Sequence, residues 1–247
     1  MASYQEALIG LAAGPAFTLI FTITVLVRKE KVALKKLFIL PSQKYLGRLG
    51  EFILMALSIV IFSKAVDFMI RQYAINEFPV DETGFWQSVV RISDLYLMGF
   101  VAILSMVYYP KVSAIIKIED QLKEYVKSFF WKITSIAAVV LIFVYLFRVQ
   151  ILILFFDPNF VYAEYLFPFQ LIGDLFKMSS WILSFLLLAQ SRTRLFIISQ
   201  FVFAIIFVAI TYYLSSLNGI EGFPQAYAYK NSLYLLFVFW VYRKLIF

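Results

Sequence analysis

Long apolar runs separated by short polar stretches occupy almost the whole chain. They run roughly Ala7 to Val27, Leu49 to Ile70, Gly84 to Tyr109, Phe129 to Phe156, Tyr162 to Ala189, Leu195 to Leu214 and Pro224 to Val241. Each meets or approaches the ~20 residues that a helix rising 1.5 Å per residue needs to cross a bilayer. The pattern predicts an all-α membrane protein of seven transmembrane helices. Arg148 interrupts the fourth run and predicts either a bend or an early end there. Neither an internal repeat nor a low-complexity tract stands out.

The polar stretches alternate in charge. Between Arg28 and Arg48 lie Arg28, Lys29, Lys31, Lys35, Lys36, Lys44 and Arg48 against the single acid Glu30. The next connection holds Glu77, Asp81 and Glu82, and the third is rich in lysine, with Lys111, Lys117, Lys123 and Lys127. Asp157, the pair Arg192 and Arg194, Glu221, and finally Arg243 with Lys244 continue the alternation. Basic connections stay cytoplasmic, which predicts an outside N-terminus and a cytoplasmic C-terminus. An odd helix count that begins outside reads as the later part of a longer bundle. Within the first basic stretch, Lys31–Leu40 interleaves lysines with Val32, Leu34, Leu37, Phe38, Ile39 and Leu40 before Pro41. That segment is either a short helix in the headgroup region or a purely topogenic loop.

Composition agrees with a membrane setting and removes several chemistries. Of 247 residues, 63% are hydrophobic and 15% charged, where a soluble domain carries about 25% charged residues. The chain has no cysteine and no histidine. Disulfides, thiol nucleophiles, thiolate zinc sites and imidazole bases are therefore excluded, and no catalytic residue, metal or resident cofactor is expected. The net charge of +7 is spread over the short connections, which is topogenic and not a nucleic-acid signature. No signal peptide is evident, because the first apolar run lacks a basic leader and is long enough to span.

Charges inside apolar helices carry the functional reading, since each costs ~2.5–3.5 kcal/mol at a helix centre and tends to face a cavity or a partner. Lys64, Asp67 and Arg71 fall on one face of the second helix, and Arg91 and Asp94 stand three apart in the third. Asp174 and Lys177 repeat that spacing in the fifth, and Arg148 and Lys230 add further positive charge. By rise alone, Lys64 lies ~24 Å from the cytoplasmic start of its helix, and Arg91 and Asp94 lie ~10–15 Å below the outer start of theirs. The second and third helices are thus placed to share one polar cluster, with Lys177 lower. Each acid–base pair at this spacing also fits mutual neutralisation that only holds the bundle together, and Arg71 and Arg148 near helix ends fit snorkelling. Bases outnumber acids, however, and a cavity with surplus positive charge suits phosphate or pyrophosphate. Lys64, Arg71, Arg91, Lys177 and Lys230 are the candidate substrate-binding residues. Asp67, Asp94 and Asp174 are candidates for charge pairing or for proton or cation coupling.

Two further features point less sharply. Gly10 and Gly14, followed by Pro15, allow close helix approach or a kink. Tyr96, Tyr108 and Tyr109 are candidates for stacking on a sugar, among many aromatic residues that serve as interfacial anchors.

The stretch Gly84–Phe85–Trp86–Gln87, then Arg91–Ile92–Ser93–Asp94–Leu95–Tyr96–Leu97–Met98, then Tyr108–Tyr109–Pro110–Lys111, resembles the Wzx-type flippases. These form the oligosaccharidyl-lipid branch of the multidrug/oligosaccharide/polysaccharide exporter superfamily, and the resemblance is to its O-antigen and lipid III translocases. Leu146–Phe147–Arg148, Phe155–Phe156–Asp157–Pro158–Asn159–Phe160 and Ala189–Gln190 before a basic turn extend the likeness. The resemblance implies two six-helix lobes around a central cavity. This chain would supply the last helix of the first lobe (1–27), a basic cytoplasmic linker (28–48) and the whole second lobe (49–247). It implies a transporter in the bacterial cytoplasmic (inner) membrane that moves undecaprenyl-pyrophosphate-linked oligosaccharide repeats for surface polysaccharide such as O-antigen. The implied partners are that lipid-linked oligosaccharide, membrane lipid, and an N-terminal lobe or partner chain. Only Arg91 and Asp94 take a place from the resemblance, on the cavity wall. An ion-coupled small-molecule exporter of the same superfamily and a non-transporting scaffold fragment are the alternatives.

Overall fold

The computed structural model describes residues 13–14, 17–19, 21–25 and 43–243, and every regular element among them is helical. The chain divides into two compact units, Met1–Leu49 and Gly50–Phe247. In the first, the described residues before 26 are helical, and the hydroxyls of Thr18 and Thr22 donate to the carbonyls of Gly14 and Thr18 at 3.0 and 2.8 Å. The expected interfacial segment Lys31–Leu40 lies outside the described residues, as do Gly10 and Pro15.

The second unit is a helical bundle. Its elements are α1 (Gln43–Glu77, of which residues from Gly50 belong here), α2 (Val80–Ile103), a π-turn (Leu104–Tyr108), α3 (Tyr109–Ile115), α4 (Glu119–Leu146) and α5 (Arg148–Phe155). A 3₁₀ segment (Pro158–Leu166), α6 (Phe167–Ala189), α7 (Thr193–Asn218), a 3₁₀ turn (Gly219–Glu221) and α8 (Gly222–Val241) follow. Five helical stretches among the described residues are long and apolar enough to cross a membrane. This differs from the seven expected for two reasons. The run Ala7 to Val27 is only partly described. The last two runs form one continuous apolar stretch, Thr193–Val241, which folds back on itself at Gly219–Glu221. Pairs Asn218–Gln225, Phe207–Tyr227, Phe203–Tyr234 and Gln200–Tyr234 make α7 and α8 an antiparallel hairpin. Gly219 turns it at φ 62°, a backbone conformation that costs glycine little.

Local chemistry explains the other boundaries. Pro79 ends α1 by supplying no N–H, and the Thr83 hydroxyl donates to the Ala74 carbonyl at 3.1 Å, closing the turn into α2. α2 does not stop at Tyr109 but continues through the π-turn to Ile115. The expected lysine-rich loop is correspondingly short. Glu119 and Asp120 open α4 at its electropositive N-terminus, so Lys123 and Lys127 are already helical. The break near Arg148 is real: Phe147 at φ −100° and ψ 13° separates α4 from α5. Asp157 starts the 3₁₀ segment by accepting from the Asn159 amide at 3.0 Å.

α6 is the centre of the bundle. The stretch containing it, Pro158–Ala189, buries 61% of its most apolar window, against 17–33% for the other four. α8 lies closest to it because Gly173 presents no side chain; a Cβ there would overlap the ring of Tyr227. α1 stands apart. It meets the bundle chiefly through rings, Tyr73 against Tyr212 (4.1 Å between centroids) and Phe223 (6.0 Å), and Phe62 against Phe201 (5.6 Å). Space is left between α1 and its neighbours.

Candidate substrate cavity

That space is a cavity of about 560 Å³ between α1, α2, α6, α7 and α8. A side pocket of about 200 Å³ continues from it, sharing Ser63, Asp67, Lys177, Trp181, Phe207 and Tyr227 as walls. Seven of the eight candidate site residues from the sequence line one or both. Lys64, Asp67 and Arg71 come from α1, Arg91 and Asp94 from α2, Lys177 from α6 and Lys230 from α8. The shared polar cluster expected between the helices bearing Lys64 and Arg91 is therefore present, and Lys177, expected lower, opens onto the same cavity.

The charges are used in two ways. On the α1–α2 wall they pair along their own helices. Lys64 Nζ lies 3.8 Å from Asp67 Oδ2 and Arg91 Nη1 lies 3.9 Å from Asp94 Oδ2, with all four side chains more than half exposed. On the opposite wall Lys177 and Lys230 form no ion pair with a carboxylate among the described residues. Lys177 instead sits over the rings of Trp181 and Tyr227, each 5.1 Å away. Lys230 sits over Tyr234 (5.8 Å) and Phe207 (5.9 Å), and donates to Asn231 Oδ1 at 3.2 Å. Cation–π contact stabilises an ammonium without neutralising it, and neither lysine has a carboxylate at ion-pair distance among the described residues. Cavity-lining bases therefore exceed acids, five (Lys64, Arg71, Arg91, Lys177, Lys230) to two (Asp67, Asp94).

Asp174 is the residue the structure removes from the cavity. It is fully buried and does not pair with Lys177. Its Oδ2 accepts from Ser93 Oγ at 2.8 Å and from the Tyr96 hydroxyl, and its Oδ1 accepts from the Tyr227 hydroxyl at 2.7 Å. Three O–H donors satisfy one carboxylate, and because they come from α2 and α8 the carboxylate ties both helices to α6. Arg148 also leaves the cationic set, at 3.1 Å from Glu164 and 4.5 Å from the Tyr145 ring centroid.

The aromatic residues suggested for sugar stacking are placed elsewhere. Tyr96 serves Asp174, Tyr108 is buried against Phe129 at 4.5 Å, and Tyr109 meets Phe185 at 6.3 Å. Trp86, Trp181, Phe207, Phe223 and Tyr227 line the cavity instead. Sequence reasoning missed these, because an aromatic ring in an apolar helix carries no sign of the side it faces. The Asp174 donors had a weak signal: a carboxylate in an apolar helix needs partners, and Ser93 and Tyr96 share a face three residues apart.

Comparison with known proteins finds curated sequences similar to this chain. The chain is 30% identical to the lipid III flippase of Escherichia coli (strain K12) over 230 residues, 92% of its length, and matches the lipid III flippase of Shigella flexneri equally. The chain is similar to lipid III flippases over nearly its whole length. Those relatives are transporters, not enzymes. The chain spans about half the length of these curated relatives, 54%. No protein-family model matches it, nor does any solved structure.

Proposed function

We propose that this chain forms the second lobe of a flippase that moves undecaprenyl-pyrophosphate-linked oligosaccharide across the bacterial cytoplasmic membrane, for O-antigen or a similar surface polysaccharide. The observation that carries the reading is the surplus of cations on the cavity wall, above all Lys177 and Lys230, which have aromatic neighbours but form no ion pair among the described residues. A pyrophosphate supplies the missing negative charge, while Trp86 and Trp181, which are only partly buried, offer apolar faces to sugar rings. Arg71 and the paired Lys64 and Arg91 would guide the anion inward from the opposite wall. The polyprenyl tail stays in lipid as a first lobe, supplied by a longer chain or a partner, rocks against this one to alternate access. Asp67 and Asp94, exposed to the same cavity, are the candidate sites for proton or cation coupling, whereas Asp174 serves the packing that holds the wall in shape.

Expression of this chain alone in a cell lacking its own flippase should give membrane insertion without surface polysaccharide. Fusion to a matching N-terminal lobe should restore export. In the fusion, Lys177→Gln with Lys230→Gln should cut surface polysaccharide per inserted protein by more than about tenfold, as expected for two lost charge-assisted contacts. Undiminished export by that double variant would refute the reading of the cavity as an anion site.

A further inference from the structure

A second cavity, about 660 Å³, lies at the other end of the described bundle from the acidic α1–α2 turn. It is formed where three segments end: the turn after α3, the turn between α6 and α7, and the end of α8. Lys117, Arg192 and Arg243 line it, with Glu119 as the one acid. None of the three cations forms an ion pair among the described residues. The guanidinium of Arg192 lies 5.8 Å from the Tyr242 ring centroid and that of Arg243 lies 5.9 Å from the Trp240 ring centroid. As with the lysines of the central cavity, ring contact orients these charges without cancelling them.

The frame beneath these side chains is rigid. At the end of α6 the Arg192 amide donates to the Leu187 carbonyl and the Ser191 amide to the Leu188 carbonyl, at 2.9 and 3.0 Å. This is a Schellman closure, with Ser191 at φ 52° where glycine is usual. It fixes Gln190, whose Oε1 accepts from the Tyr242 hydroxyl at 3.1 Å, and so joins the α6–α7 turn to the end of α8. Burial pushes the Tyr242 phenol well above its ordinary pKa, against the opposing pull of Arg192, so it stays a donor at any physiological pH.

From this arrangement we propose that the cavity is a binding site for the headgroup of an anionic membrane phospholipid. The phosphodiester sits between Arg192, Arg243 and Lys117, and the glycerol and acyl chains leave along Trp240. Two observations select a lipid over a free phosphate. The cavity adjoins the ends of apolar stretches at Ile115, Ala189 and Val241, the level of the headgroups. Its exposed Trp240 is the amphipathic ring that prefers this level. The site is separate from the central cavity and shares no lining residue with it.

The test is native mass spectrometry of the full chain in neutral detergent, titrated with phosphatidylglycerol, phosphatidylcholine or inorganic phosphate. Phosphatidylglycerol should bind at low stoichiometry in preference to phosphatidylcholine. Arg192→Gln and Arg243→Gln should each weaken it about fivefold, the scale of one basic residue beside an anionic lipid. Glu119→Gln should strengthen it, an effect that damaged folding cannot mimic. Three results would each overturn the proposal: equal retention of the two lipids, phosphatidylglycerol binding indifferent to all three substitutions, or displacement by millimolar inorganic phosphate, which would mark a free-anion site.

Discussion

The two walls of the central cavity carry the same sequence pattern and use it differently. Lys64 and Asp67, Arg91 and Asp94, and Asp174 and Lys177 are all acid–base pairs three residues apart in apolar helices. On the α1–α2 wall each pair closes on itself at 3.8–3.9 Å with exposed side chains. On the α6–α8 wall the pair separates: Asp174 goes inward to three hydroxyls while Lys177 goes to the cavity and two rings. The surroundings explain the difference. α1 stands off from the bundle, so its charges find no partner closer than their own helix. α6 is packed on several sides, so a carboxylate there meets donors from other helices and has no need of its neighbouring lysine. Local spacing therefore decides pairing where packing is thin, and tertiary donors decide it where packing is dense.

The largest expected effect follows from the dense side. Asp174→Ala leaves the hydroxyls of Ser93, Tyr96 and Tyr227 without their shared acceptor in a buried site. Each stranded group costs about 1–3 kcal/mol, enough to loosen α2 and α8 from α6. Thermal unfolding of the purified chain in detergent should fall by many degrees. Asp174→Asn keeps the side-chain shape and one of the two acceptor oxygens, replacing the other with an NH2 donor, and should lose less stability than Asp174→Ala. Equal loss in both variants would mean that a single acceptor oxygen does not hold the helices and that the whole carboxylate is required. An unchanged midpoint for Asp174→Ala would remove the contrast between the walls altogether.

What the sequence made legible follows the same division. Helix existence came from apolar runs, because a span must bury its own backbone polar groups in lipid. The break at Arg148 came from a charge that lipid does not accept. Lys64, Asp67, Arg71, Arg91 and Asp94 were readable as one cluster because two consecutive antiparallel helices with a short turn must be neighbours. Helix length was less legible at polar ends: Lys123 and Lys127 look like loop residues, yet they form the amphipathic start of α4. The fate of Asp174 was barely legible, since its donors lie 81, 78 and 53 positions away. The same holds for the aromatic lining, which depends on how α7 and α8 rotate once Gly173 admits Tyr227.

An intermediate effect is expected at Arg91. Its pairing with Asp94 is on a cavity wall and only half-buried, so the pair contributes little to stability, about 0–1 kcal/mol. Exchanging the two residues (Arg91→Asp with Asp94→Arg) preserves that mutual attraction but moves the positive charge three residues along α2, by about 60° and 4.5 Å. In the fusion to a matching N-terminal lobe, export should fall several-fold for the exchange and for Arg91→Ala, at unchanged membrane level. Normal export by both would reduce the pair to a brace between neighbouring turns.

The smallest effect belongs to Lys64, and it sharpens the comparison most economically. Its ammonium is the most exposed of the paired charges, at 78% of the side chain, and already has Asp67 as partner. The pair therefore brings a net charge close to zero to the cavity, whereas Lys177 and Lys230 have no ion-pair partner among the described residues. Lys64→Gln alone should change export by no more than about twofold, the scale of an exposed ion pair. Asp67→Asn should act in the opposite sense, because it frees Lys64 to face the anion and also lifts negative charge from the side pocket that Asp67 shares with Lys177 and Lys230. Dose–response of surface polysaccharide against expressed protein resolves both. If Lys64→Gln instead proved as damaging as the loss of Lys177 and Lys230, ion pairing along α1 would not be what separates the walls, and the cavity would have to be treated as one undivided cationic surface.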